Sequence, residues 1–136
     1  MDRITVLCVD DEPDLVVLTA SLLEAADERF ETITETDPRA ALERLESASV
    51  DCVVSDYDMP EMDGLELLGS IRSEYAELPF ILFTGKAEAL ASAAAAHEVT
   101  DCVRKATDSG QFERLAARIS NAVMGAPRRS QTSVSK

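Results

Sequence analysis

The stretch VVSDYDMPEMDGLELL, residues 53–68, decides the fold. It sits in an apolar run, residues 50–55, that reads as a buried strand and stops at Asp56-Tyr57-Asp58. Pro60 and Gly64 punctuate the loop, and Leu65, Leu68, Ile71 and Tyr75 then recur at helical spacing. A strand, an acidic turn and an amphipathic helix make one βα unit, and the chain repeats that unit on either side. Residues 4–9 form the first strand, and residues 14–26 carry Leu15, Leu18, Leu22 and Ala26 on one helical face. Residues 30–34 make a weaker, edge-like strand, after which Pro38 opens a helix containing Leu42 and Leu45. Residues 79–83 are the fourth strand and the Ala-rich residues 87–96 the fourth helix. Residues 101–104 form a short last strand, and the helix after it carries Phe112, Leu115, Ala116, Ile119 and Val123. Asp108, with Gln111 three residues on, is expected to cap that helix reciprocally. Alternation of this kind predicts an α/β fold, a doubly wound parallel sheet with helices on both faces.

A chain of 136 residues, 46% hydrophobic, suits a single domain with a real core. We place it at residues 1–124. Residues 125–136, GAPRRSQTSVSK, combine turn formers, adjacent Arg128 and Arg129 and no apolar period, which predicts a flexible tail. No apolar run is long enough for a membrane span, so no membrane role and a cytoplasmic location are expected. Cys8, Cys52 and Cys102 are odd in number, lack CxxC spacing and sit in apolar stretches, the pattern of buried reduced thiols. A formal net charge of −13 argues against nucleic acid as a partner, because phosphate backbones need clustered cations. Arginine outnumbers lysine ten to three and the acids are spread along the chain, as expected of a surface adapted to high salt.

Ligands of a doubly wound sheet bind at the carboxyl ends of its strands. The first strand ends in Asp10-Asp11-Glu12, the third in Asp56-Tyr57-Asp58, the fourth in Thr84-Gly85-Lys86 and the last in Arg104-Lys105. One acid after a strand is as well explained as a helix cap. Several acids gathered on one rim repel each other, and a hard divalent cation resolves that conflict through oxygen ligands while leaving room for a phosphate oxygen. Lys105 and Thr84 would bring a cation and a hydroxyl donor to the same phosphoryl group.

VLCVDDEPDL at residues 6–15, VVSDYDMPEMDGLELL, Thr84-Gly85 and Lys105 together resemble the receiver domain of two-component response regulators. The resemblance covers about residues 3 to 124. It implies a flavodoxin-like, five-stranded sheet of order 2-1-3-4-5. By the same likeness Asp56 is the phosphoacceptor, Asp10 and Asp11 are the acidic pair at a Mg2+ (or Mn2+) ion, and Asp58 offers its backbone carbonyl to that ion. Thr84 and Lys105 contact the phosphoryl oxygens. The implied partners are a histidine kinase or phosphotransfer protein and a downstream effector protein, contacted through the fourth helix, last strand and last helix, with the chain a monomer or weak dimer. Such a domain promotes its own phosphorylation and dephosphorylation without turning over an external substrate, and so is not an enzyme in the usual sense.

Three departures from the family pattern stand out. Cys102 occupies the place of a Tyr or Phe that rotates with the Thr. Ala106 follows Lys105 where proline is usual, and without proline a cis bond costs about 3 kcal/mol more than trans, so a rearranged or strained loop is expected. Asp58 and Lys86 flank the acceptor with opposite charges that can pair across it. Two rivals are weaker. Asp56-Tyr57-Asp58 fits the DxD of haloacid-dehalogenase-type phosphatases, but Pro60 stands where Thr or Val is expected and no cap region is present. A flavin module would need a phosphate cradle where Asp10-Asp11-Glu12 lies. His97-Glu98 lacks the residues that follow a kinase phosphorylation site. The charge pattern yields one prediction: thermal melting points rise between low and molar NaCl, and melts that fall or stay level remove the high-salt reading.

Overall fold

A computed structural model describes residues 3–86, 91, 99–106, 108 and 110–125. Five strands, β1 (Ile4–Val9), β2 (Phe30–Glu35), β3 (Cys52–Ser55), β4 (Phe80–Thr84) and β5 (Asp101–Arg104), form one sheet in the order β2-β1-β3-β4-β5. Every pairing is parallel. The described helices are α1 (Pro13–Ala26), α2 (Pro38–Ser47), α3 (Gly64–Arg72) and α4 (Gln111–Gly125). The helix expected over residues 87–96, Ala91 aside, lies outside the described residues, as do His97 and residues 126–136.

Side chains of a strand alternate between faces, and both faces of a parallel sheet are covered, so each strand feeds two cores. Val6 and Cys8 of β1, Cys52 and Val54 of β3, and Ile81 and Phe83 of β4 pack with Val16 and Leu23 of α1 and Leu115 and Ile119 of α4. Leu7 and Val9, Val53, and Phe80 and Leu82 pack on the other side with Ala41 and Leu45 of α2 and Leu67, Leu68 and Ile71 of α3. Burial pushes the Cys8 thiol up to about 12 and raises Cys52 as well, so both behave as small core hydrophobes.

Four expectations need correction. The buried stripe of α1 is Val16, Thr19, Ala20 and Leu23. Leu15, Leu18 and Leu22 are 39%, 48% and 36% exposed. α1 is apolar on two neighbouring faces, and a threonine in the inward one hid it. Cys102 is only half-buried, because β5 is an edge strand. Asp108 does not cap α4: its carboxylate takes both Arg114 nitrogens at 3.0 Å, a two-point pair that outcompetes a single backbone N–H. Tyr75 lies beyond α3, which ends at Arg72. The helical α4 also reaches Gly125, one residue into the segment expected as tail.

The turn after β3 is held at both ends. Asp63 accepts from the Glu66 N–H at 2.8 Å, and Glu66 accepts from the Asp63 N–H at 2.9 Å, a full capping box at the start of α3. The Gly64 N–H donates to the Tyr57 carbonyl at 2.8 Å. A methyl group on Gly64 would run into the Asp56 carbonyl and come within 3.1 Å of Tyr57 Cα, so this helix start abuts the end of β3 only without a side chain. Gly64→Ala is therefore expected to cost about 2 kcal/mol, as overpacking against backbone does, read as an earlier midpoint in urea unfolding.

Candidate phosphoryl-acceptor site

β1 and β3 are neighbours, and the strand order reverses between them, so Asp10 and Asp56 leave the sheet side by side at its switch point. The ladder continues past both strands, with the Asp56 N–H donating to the Val9 carbonyl at 3.0 Å and the Asp10 N–H to Glu35 at 3.2 Å. Asp10 is 6% exposed. One of its oxygens accepts from the Glu12 N–H at 3.0 Å and the other faces Lys105 Nζ at 3.4 Å. Glu12 is the residue at the N-cap of α1, and it makes no side-chain cap bond. Helix capping therefore does not account for Asp10 and Asp11.

Carboxylate oxygens of Asp10, Asp11 and Asp56 all lie within 4.8 Å of one another. Three acids this close offer hard oxygen donors at the spacing a small divalent cation requires, so the residue set fits Mg2+ or Mn2+. Lys105 Nζ lies 3.4 Å from both Asp10 and Asp56 and 5.5 Å from the centre of the Phe83 ring. The Lys105 N–H donates to the Thr84 carbonyl at 3.0 Å, which ties the ends of β4 and β5 together. Thr84 itself is 2% exposed, and its hydroxyl oxygen accepts from the Lys86 N–H at 3.2 Å. Lys86 Nζ and Asp58 Oδ2 are 2.8 Å apart, the pairing expected from their positions. The Asp58 carboxylate is thus turned to Lys86, apart from the three-acid cluster.

Asp10, Asp11, Asp56 and Lys105 thus meet at one rim, with Thr84 joined to Lys105 through the backbone and Asp58 paired with Lys86 beside them. Two supporting residues were not singled out from the sequence. Gly64 had been read only as loop punctuation, although a glycine opening a helix right after an acidic strand end is a sign of close approach. Phe83 had been read only as strand, since nothing in a pattern of apolar residues says which ring a distant lysine will cover.

Burial holds the Asp56 carboxyl above the usual carboxylate range, and Asp10 adds to this, while Lys105 and the Tyr57 N–H pull the other way. The sign for stability follows from linkage. A proton is held more tightly in the fold than in the unfolded chain, so the ionised carboxylate costs stability at neutral pH, and the cost vanishes once both states are protonated. Asp56→Asn is accordingly expected to melt above wild type at pH 7 in the absence of divalent metal. The gap closes as pH falls below about 4, the ordinary aspartate value. A variant that melts lower at pH 7 would contradict this account of the site.

The family model of the response regulator receiver domain matches residues 6–119. A protein-glutamate methylesterase/protein-glutamine glutaminase of Nocardioides sp. is 39% identical over 85 residues, which are 62% of this chain and 23% of that protein. The alkaline phosphatase synthesis transcriptional regulatory protein PhoP of Bacillus subtilis is 32% identical over 83 residues, covering 61% of this chain and 34% of that protein. The chain thus spans well under half the length of these relatives. Among solved structures, response regulator TrrA of Thermotoga maritima in complex with Mg(2+)-BeF is 28% identical with a TM-score of 0.76, covering 88% of this chain and 99% of that one.

Proposed function

The chain belongs to the response regulator receiver domain family, and on that premise we propose that Asp56 is where it accepts a phosphoryl group in two-component signalling. The observation that carries this is the meeting of Asp10, Asp11 and Asp56 within 4.8 Å beneath one shared lysine. An oxygen of Asp56 attacks phosphorus in the phosphohistidine of a histidine kinase or phosphotransfer protein. The P–N bond breaks, its electron pair stays with the imidazole, and Asp56 becomes an acyl phosphate. Lys105 moves from the two carboxylates to the new phosphoryl oxygens, and the Thr84 hydroxyl donates to another. Asp10, Asp11, Asp56 and the Asp58 carbonyl would hold Mg2+ or Mn2+, which supplies charge neutralisation for the dispersed phosphoryl charge when bound. A water attacking phosphorus later releases inorganic phosphate and restores the carboxylate. The domain runs to at least Gly125, where its last helix ends, and acts as a signalling acceptor in the cytoplasm.

Switching is a population shift, since contacts of Thr84 and Lys105 with the phosphoryl group favour one arrangement of the rim. The phosphodonor has its own seat. Leu15, Leu18 and Leu22 leave an apolar stripe on α1 that starts beside Asp10 and Asp11, and a helix of the donor lying there would bring its phosphohistidine to the rim. The downstream effector protein reads the face of β5 and α4 and the segment between β4 and β5. The phosphatase alternative loses ground because a DxD mechanism needs its second acid at the reacting group, and Asp58 instead pairs with Lys86 at 2.8 Å.

Mass spectrometry after incubation with acetyl phosphate and Mg2+ tests this reading. One labile phosphate adduct is expected on the wild-type chain and none on Asp56→Asn. No adduct on the wild type at low or molar salt would end the proposal.

A further inference from the structure

Lys105 stands where β5 gives way to a loop, its own N–H still bonded to the Thr84 carbonyl at 3.0 Å. Lys105 follows the last residue of a four-residue edge strand, and Ala106 after it imposes no backbone restraint. Two adjacent residues at the start of α4 add to that hold from the helix side. Gln111 accepts from the Ala106 N–H at 3.2 Å through its side-chain carbonyl, and its amide nitrogen donates to the Asp108 carbonyl at 3.4 Å. Phe112 meets Phe83 edge to face, with ring centres 6.0 Å apart and planes at 65°. Phe83 in turn lies under the Lys105 ammonium, 5.5 Å from it. The backbone beside the lysine and the ring beneath its charge are thus both held by the same helical turn.

We propose that Gln111, Phe112 and Phe83 are positioning residues for Lys105, so that the first turn of α4 sets how well the lysine meets the phosphoryl group. The inference rests on the acceptor reading of Asp56. Gln111 fixes the far side of the lysine's backbone, because the Ala106 N–H bonded to it ties the loop to α4 while the Lys105 N–H is tied to Thr84. Phe83 fixes where the stem ends, since a cation over a ring face is drawn toward it. Phe112 keeps that ring from turning, as edge-to-face packing prefers one orientation. Phe83 and Phe112 also belong to the α1 and α4 side of the core, so a shift of α4 on the sheet reaches the lysine directly.

A double-mutant cycle on the full chain tests the proposal, with beryllofluoride plus Mg2+ as the phosphoryl probe and Mg2+ alone as control. Gln111→Ala and Phe83→Leu are each expected to weaken beryllofluoride binding about fivefold, the size of one exposed hydrogen bond or cation–ring contact. Mg2+ affinity does not fall, since neither residue is an acid of the cluster and a displaced Lys105 leaves the Asp10 and Asp56 carboxylates freer for the ion. Phe112→Tyr, which keeps the ring, binds as wild type, whereas Phe112→Leu does not. In a Lys105→Ala background the Gln111 and Phe83 substitutions have no further effect, because residues that act through one lysine lose their role with it. Equal weakening with and without Lys105 would overturn the proposal in favour of a structural role, and so would no weakening at all. Gln111→Ala, at a half-buried position, keeps the test valid should Phe83→Leu fold poorly. A wild-type chain that binds no beryllofluoride overturns the Asp56 reading, and this is a separate outcome from a wild type that binds it indifferently to Gln111.

Discussion

Three carboxylates and one ammonium share the switch point of the sheet, and the rest of the molecule is arranged around that imbalance. Asp10, Asp11 and Asp56 meet within 4.8 Å, while Lys105 stands 3.4 Å from two of them. One cation against three anions leaves the rim short of positive charge and open to a ligand that brings some. Burial adds to the cost of the charge on Asp56, and the backbone ladder, the Glu12 N–H and Lys105 keep Asp10 and Asp56 in place. Asp10 cannot retreat because its N–H is bonded to Glu35, and Asp56 cannot because its own is bonded to Val9. A site of this kind is stable as a fold and unsatisfied as a set of charges, the condition under which a metal ion and a phosphoryl group are both welcome.

How much of this was legible in the sequence depended on whether a residue's role is set by its neighbours along the chain or by its neighbours in space. The strands could be read because period and composition are local: residues 4–9 and 101–104 matched the observed strands at both ends. The rim could be read because strand ends in a parallel sheet point the same way, so acids at residues 10, 11 and 56 had to meet if the strands paired as expected. The pairing of Asp58 with Lys86 was legible for the same reason, one lying two residues beyond Asp56 and the other two beyond Thr84. α1 was misread because its two apolar faces differ by a single threonine, and which one turns inward is decided by the sheet. Asp108 was misread because an arginine six residues away competed for it. Phe83 beneath Lys105 is set by two elements more than 20 residues apart, and no local pattern records it.

The two cores make the rim stiff on one side and adjustable on the other. On the side of α2 and α3, the capping box and the contact of Gly64 with the end of β3 pin the acceptor's backbone. On the side of α1 and α4, the lysine is held through side chains, by an amide and two rings. Asp56 is therefore placed by the main chain, and the Lys105 ammonium by the main chain and by packing together. Under the proposed function, that division gives a fixed acceptor and a cation able to change partners.

The closed turn between β3 and α3 has an evolutionary side. Tyr57 and Gly64 are joined across its base by one backbone hydrogen bond, Asp63 and Glu66 seal the helix end and Met59 is anchored in the core, so the exposed residues of the turn ride on a frame they do not build. Asp58 is among them, half exposed and facing Lys86 from across the rim. Substitution there leaves the position of Asp56 untouched while changing what surrounds it. A lineage can thus drift at Asp58 and change the charge around Asp56 without refolding its backbone, so that the fold and the surroundings of the site are inherited as separate traits.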